Sequence, residues 1–227
     1  MDTIDCIRTR RSIRKYKDKP VAWDLIGEVL QSALDAPSAG NLQNWKFIVV
    51  KDEGKRKKIA EACLEQYWMQ TAAVHIIVCA EPEKATHFYG IRGERLYSIQ
   101  NCACAAQNMM LTAHSLGLGA SWVGAFEEDM LKRVLGIPDY VRPQAVITVG
   151  YVEESPDKPG KYNLYDMIFL EKWEGRIKDI NWVMKEYSTT INRGIAKNAK
   201  KAVEEGKKLV EKTKVVVDKI KKKARKI

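Results

Sequence analysis

Four cations crowd around one serine near the N-terminus: Arg10, Arg11, Arg14 and Lys15 flank Ser12 in the stretch TRRSIRKY. Arginine presents a planar fork that matches phosphate oxygens, and a serine hydroxyl adds one more donor. A phosphomonoester, with nearly two negative charges, needs about this many donors. The same residues also fit an exposed helix end with solvated arginines. A second stretch, APSAGNLQNWKF, runs from residue 36 to 47. Pro37 stops a helix there. Ser38, Ala39, Gly40 and Asn41 are small enough for backbone N–H and C=O groups to approach a flat ligand. A plain helix-to-strand connection would read the same way. In a third, GLGASWVGAF (117–126), glycines bracket an apolar segment. A ring could lie against Val123, Gly124 and Ala125 with little but backbone between them.

Other chemistries find no support. No G-x-G-x-x-G follows a strand, and no phosphate-binding G-x-x-x-x-G-K-[ST] occurs. Ser12, Ser38 and Ser121 lack a His/Asp pairing for a hydrolase triad. The three histidines (His75, His87, His114) are scattered without metal-ligand spacing. The five cysteines (Cys6, Cys63, Cys79, Cys102, Cys104) contain no C-x-x-C pair. Reduced thiols in a cytoplasmic protein are the natural reading. No apolar run is long enough to span a bilayer, and MDTIDCIRTRR lacks the apolar core of a secretory signal.

Several elements must hold these stretches in place. Residues 22–35 carry an apolar stripe at helical spacing, ended by Pro37. WKFIVVK (45–51) reads as a strand, and 52–66 as an amphipathic helix with an acidic start. AVHIIVCA (73–80) is a strand apolar enough to be buried on both faces. Residues 96–116 form a long helix rich in small and apolar residues, either central or at a subunit interface, and Gly117 caps it. A strand and turn, a helix over 127–136 and a core strand over 144–152 follow. Strands and helices alternating around a hydrophobic sheet indicate an α/β or α+β domain spanning about 1–175.

The chain has 227 residues and a formal net charge of +10. Residues 197–227 hold 13 Lys+Arg against 4 Asp+Glu, whereas the rest of the chain holds 26 against 25. The basicity therefore belongs to a tail and the body is nearly neutral. From Ala196 to Ile227 apolar residues recur at alternating spacings of three and four, which predicts a basic amphipathic helix over 192–227 behind a linker at 176–191. Such a helix fits packing on its own domain or across a dimer. It also fits weak contact with a polyanion or a membrane surface.

Taken together, RRSIRKY, APSAGNLQNWKFIVV, QNCACAAQNMMLTAHSLGLGASWVGAF, LGIPDYVRPQAVITVGY and LYDMIFLEKW, in this order between residues 4 and 173, resemble the nitroreductase family of FMN-dependent oxidoreductases. The resemblance implies an α+β fold, a mixed sheet flanked by helices in an intertwined homodimer, with FMN at the interface. The appended C-terminal helix lies outside the family pattern. The resemblance carries Arg10, Arg11, Ser12 and Arg14 to the flavin phosphate, ribityl chain and pyrimidine edge. It carries Pro37, Ser38, Ala39, Gly40 and Asn41 to a loop laid over the ring of the other subunit. Val123, Gly124 and Ala125 match the segment whose backbone N–H approaches flavin N5, and Lys161 stands where a basic residue joins the phosphate. The implied activity passes electrons from a reduced donor such as NAD(P)H, through flavin N5, to nitroaromatics, quinones or related flat electrophiles. No catalytic side chain is required. Relatives of this fold that act as dehydrogenases, dehalogenases or flavin-fragmenting enzymes are alternatives. So is a flavin-binding protein with a polyanion- or membrane-binding tail.

Overall fold

The computed structural model describes residues 1–175; the expected linker and basic C-terminal helix lie outside the described residues. Met1–Pro159 form one compact unit, and a second begins at Gly160. In the first unit α1 (Thr3–Thr9) and α2 (Trp23–Leu34) precede β1 (Trp45–Val50). Next come α3 (Glu53–Ala62), β2 (Val74–Ala80), α4 (Pro82–Arg92) and α5 (Ser98–Ser115). β3 (Leu118–Val123), α6 (Glu128–Leu135) and β4 (Arg142–Tyr151) complete it, and a single turn, α7 (Leu164–Met167), belongs to the second unit.

The four strands lie in the order β1-β2-β4-β3. Every ladder among them is antiparallel. The expected mixed sheet is therefore corrected: among the described residues, parallel pairing is confined to the one-residue bridge between Ser12 and Ala120. Strand direction is set by long-range pairing, which local periodicity does not encode.

β2 and β4 occupy the middle, and each residue of β2 is buried, as its continuous apolar run predicts. One face of the sheet, with Ile76, Val78 and Ile147, packs against α2 and α5. On α5 the residues Ala105, Ala106, Met109 and Ala113 are fully buried, and the alanines let the helix approach closely. The opposite face, with Ile77, Cys79 and Val146, packs against α3 and α6. Burying each large aliphatic side chain contributes roughly 1.5–3 kcal/mol. Cys63, Cys79 and Cys102 are buried free thiols, and burial pushes each up to about 12. They are inert core residues. No helix among the described residues is long and apolar enough to cross a membrane.

The expected helix over 52–66 ends early. α3 stops at Ala62 and Cys63, because Leu64 and Glu65 both adopt left-handed backbone, φ 56° and 57°. Residues 82–95, unassigned from the sequence, form α4 and the start of a π-helical turn at Gly93–Tyr97 that leads into α5.

Candidate functional site

Building the site starts with how residues 10–16 are held. Ser12 bridges Ala120 of β3, and the Ile13 N–H donates to the Ala120 carbonyl at 3.1 Å. Four residues on, Tyr16 bridges Val152, just beyond β4. Between them the chain crosses the sheet. Gly119 and Gly150, paired across β3 and β4, provide the room: Ile13 lies over the first and Tyr16 over the second. The Tyr16 hydroxyl donates to the Ile13 carbonyl at 2.6 Å and meets Thr148 Oγ1 at 2.8 Å, so the crossing is fixed from both ends. Burial pushes the Tyr16 hydroxyl well above the usual phenol range, so it stays protonated as a donor.

This crossing sets the cations. Arg11 Nη1 lies 2.9 Å from the carbonyl oxygens of Arg8, Thr9 and Arg10, capping the C-terminal end of α1. Arg11 Nε and Arg10 Nη1 are buried and have no hydrogen-bond partner among the described residues. A buried, charged donor left unpaired costs free energy that a bound anion would recover. Ser12 is exposed. Arg14 lies with its guanidinium 5.9 Å from the Trp68 ring centroid. Its backbone N–H and that of Lys15 donate to Glu154 Oε1, at 2.5 Å and 3.1 Å.

Val123 ends β3 buried, and Gly124 and Ala125 are exposed. The Ala125 carbonyl accepts from Gln66 Nε2 at 3.5 Å. Gln66 and Trp68 thus connect the Gly124–Ala125 turn to Arg14. Neither stood out in the sequence; the aromatic and amide side chains of EQYWMQT, between a helix and a strand, were the available signal.

Pro37–Asn41 sit elsewhere. The Ala39 N–H donates to Asn101 Oδ1 at 2.9 Å, Asn101 Nδ2 donates to Asn44 Oδ1 at 2.8 Å, and Asn44 Nδ2 donates to Ser98 Oγ at 2.9 Å. This buried chain ties the loop to the N-terminal half of α5. The loop doubles back through left-handed residues Gly40 and Asn41, with Gly40 tight against the Tyr89 hydroxyl. Its Ser38 Oγ accepts from the Gln43 N–H at 3.1 Å.

α1, which leads into the arginines, meets the other end of the same helix. Thr9 Oγ1 lies 2.8 Å from His114 Nε2, and the Cys6 thiol donates to the Leu111 carbonyl at 3.3 Å. Thirteen residues at ~1.5 Å rise separate Asn101 from His114, or about 20 Å. A single chain therefore brings Arg10, Arg11, Ser12 and Arg14 together along one crossing segment, but does not bring Pro37–Asn41 to them. Lys161 is exposed and lies in the second unit.

A cavity of about 520 Å³ opens beside Lys17, Lys19, Lys51 and Arg56, away from the candidate residues. Three of these cations are already engaged. Lys19 Nζ lies 4.2 Å from the Tyr151 ring centroid, Lys51 Nζ donates to the Val21 carbonyl, and Arg56 donates to the carbonyls of Lys51, Gln70 and Ala72.

An antiparallel sheet sandwiched between helices, with paired unsatisfied arginines at its edge, agrees with the family assignment. Residues 7–151 match the model of the Nitroreductase family, and the chain belongs to that family. A Methanothermobacter thermautotrophicus protein provisionally named NADH dehydrogenase/NAD(P)H nitroreductase is 41% identical over 181 residues, spanning 76% of this chain and 88% of that protein. A Bacillus subtilis protein named FMN reductase (NADPH) is 25% identical over 204 residues, spanning 84% of this chain and 82% of that protein. Among solved structures, an FMN-dependent nitroreductase from Clostridium difficile superposes with TM-score 0.63 at 27% identity, covering 75% of this chain and 99% of its own.

Proposed function

We propose that this nitroreductase-family enzyme binds FMN as a homodimer and reduces flat electrophiles, such as nitroaromatics, quinones or activated enones, at the expense of NAD(P)H. The observation that carries the reading is the pair of buried guanidinium donors without partners, Arg10 Nη1 and Arg11 Nε. They fit a phosphate: two cationic donors on one held segment, with the neighbouring Arg11 Nη1 anchored to α1. When bound, FMN supplies two-electron transfer between the nicotinamide donor and the acceptor. Arg10 and Arg11 grip its phosphate and ribityl end, with Ser12 as a further donor. Arg14, held over Trp68, supplies positive charge at the pyrimidine edge, which favours the reduced, anionic form of the ring. Val123, Gly124 and Ala125 offer backbone beside the ring, kept in register by Gln66. Since the loop and the helix that precedes the arginines attach to α5 at points about 20 Å apart, this loop covers a ring held by a second copy.

The test is an absorbance spectrum of the purified protein and an anaerobic titration with NADH and with NADPH. The proposal expects a yellow protein, or an apo-protein that takes up FMN, whose flavin absorbance bleaches with at least one nicotinamide and returns on adding a quinone or nitroaromatic. A colourless protein that binds no FMN would overturn it.

A further inference from the structure

We infer that His114 is a third, titratable member of the anion site made by Arg10 and Arg11, taking up a proton when the phosphate binds. This rests on the FMN reading above. The ring lies in the last turn of α5, where the unsatisfied helix carbonyls favour a cation. Its tautomer follows from Thr9. A hydroxyl has one hydrogen to give, and the Asp5 carbonyl lies 2.6 Å from Thr9 Oγ1. With the hydrogen donated there, Thr9 Oγ1 accepts from His114 at 2.8 Å, so Nε2 carries the ring proton and Nδ1 keeps its lone pair. A second proton therefore enters at Nδ1.

In the free protein the charged form of the ring is disfavoured. Partial burial and then the charges of Arg10 and Arg11 hold it below the usual imidazole range. Thr9, from α1, is uncharged; Arg10 and Arg11, from the segment after α1, are cationic. No carboxylate is among the charges that act on the ring from the described residues. A phosphate dianion between the two arginines offsets the repulsion that disfavours the protonated ring. Such coupling is reciprocal: whatever the anion does for the proton, the proton does for the anion. Folding the sign in, the imidazole pKa is lowered in the free protein and rises in the complex. Affinity therefore gains as pH falls through the ordinary imidazole range and into the window between those two values. One proton moves from solvent to Nδ1, and no other bond changes.

The experiment titrates FMN into apo-protein by flavin fluorescence, between about pH 7.5 and about pH 5, for the native chain and for His114→Gln. Glutamine keeps an N–H for Thr9 and takes no proton. The phosphate's own titration is common to both proteins and cancels in the ratio of their dissociation constants. That ratio is expected near one at the upper pH and to rise roughly three- to tenfold in favour of the native chain at the lower. Calorimetry of the native chain, in two buffers of different ionisation enthalpy near pH 6, reads proton uptake directly and does not depend on the variant folding. A ratio independent of pH, or no proton uptake beyond that of the phosphate, overturns the inference and leaves the FMN reading intact. Failure of the native chain to bind FMN at any pH overturns both.

Discussion

Gly119 stands directly opposite Gly150 across the β3–β4 ladder, and the arginine-bearing segment crosses the sheet over that pair. A Cβ at Gly119 would fall 2.8 Å from Ile13 Cγ1 and 2.9 Å from Val152 Cγ2; one at Gly150 would fall 2.8 Å from Tyr16 Cδ1. The position of Arg10, Arg11 and Arg14 therefore depends on two absent side chains. Gly119→Ala and Gly150→Ala are each expected to cost roughly 1–3 kcal/mol, read from denaturant midpoints at unchanged slope. Gly27, in α2 with nothing within 4 Å of its would-be Cβ, is the control; its alanine variant should gain about 0.5–1 kcal/mol. Equal, small effects at all three sites would remove the crossing from the account.

The two arginines are expected to separate in their effects. Arg10→Ala removes an unpaired buried donor and should weaken FMN binding roughly 10- to 100-fold, with little loss of apo-protein stability, since a hydrogen bond to a charged group contributes about 1.5–3 kcal/mol. Arg11→Ala should weaken FMN binding similarly and also lower stability by about 0.5–1.5 kcal/mol, because Nη1 caps α1. Turnover at saturating FMN should fall less than affinity in both. An Arg10 variant with native FMN affinity would contradict the phosphate assignment.

Asn101 holds the Pro37–Asn41 loop through one oxygen and Asn44 through one nitrogen. Asn101→Ala leaves the Ala39 N–H and the buried Asn44 oxygen without these partners, so a loss of roughly 1–3 kcal/mol is expected. Hydrogen exchange should localise the added opening to residues 38–44, with the crossing segment at Ile13–Tyr16 unaffected. Protection lost at both places would contradict the separation of the two regions along α5.

Acid should weaken the fold through His75. Desolvation pushes this fully buried imidazole down to about 4; its Nε2–H donates to the Met69 carbonyl at 2.9 Å, and its Nδ1 has no partner among the described residues. Below the ordinary value near ~6.5 the unfolded chain takes the proton and the folded one does not. Stability is thus unaffected above that pH and falls, by up to about 3 kcal/mol, as pH drops toward 4. His75→Gln keeps a donor for Met69 and should show a shallower acid slope, whatever its stability at neutral pH. Identical slopes in urea titrations would contradict the assignment.

Much of the fold is legible in the sequence. The strands and the long helix follow from periodicity, and Pro37 and the small residues around Gly40 and Gly124 mark the connections between them. What escaped depends on long-range contact. Nothing local says that Ser12 meets Ala120 or that Gly119 and Gly150 face each other. The end of α3 was missed because Leu64 and Glu65, not Gly or Asn, take the left-handed backbone. His114 read as one scattered histidine because its neighbour Thr9 lies 105 residues away.

Native mass spectrometry of the purified protein, supplied with FMN, tests the central claim most directly. The account predicts a dimer carrying two FMN, since one chain supplies Arg10 and Arg11 and another the Pro37–Asn41 loop; Arg10→Ala/Arg11→Ala should give the same dimer without flavin. A monomer that retains FMN, or a double variant that retains it, would contradict the account.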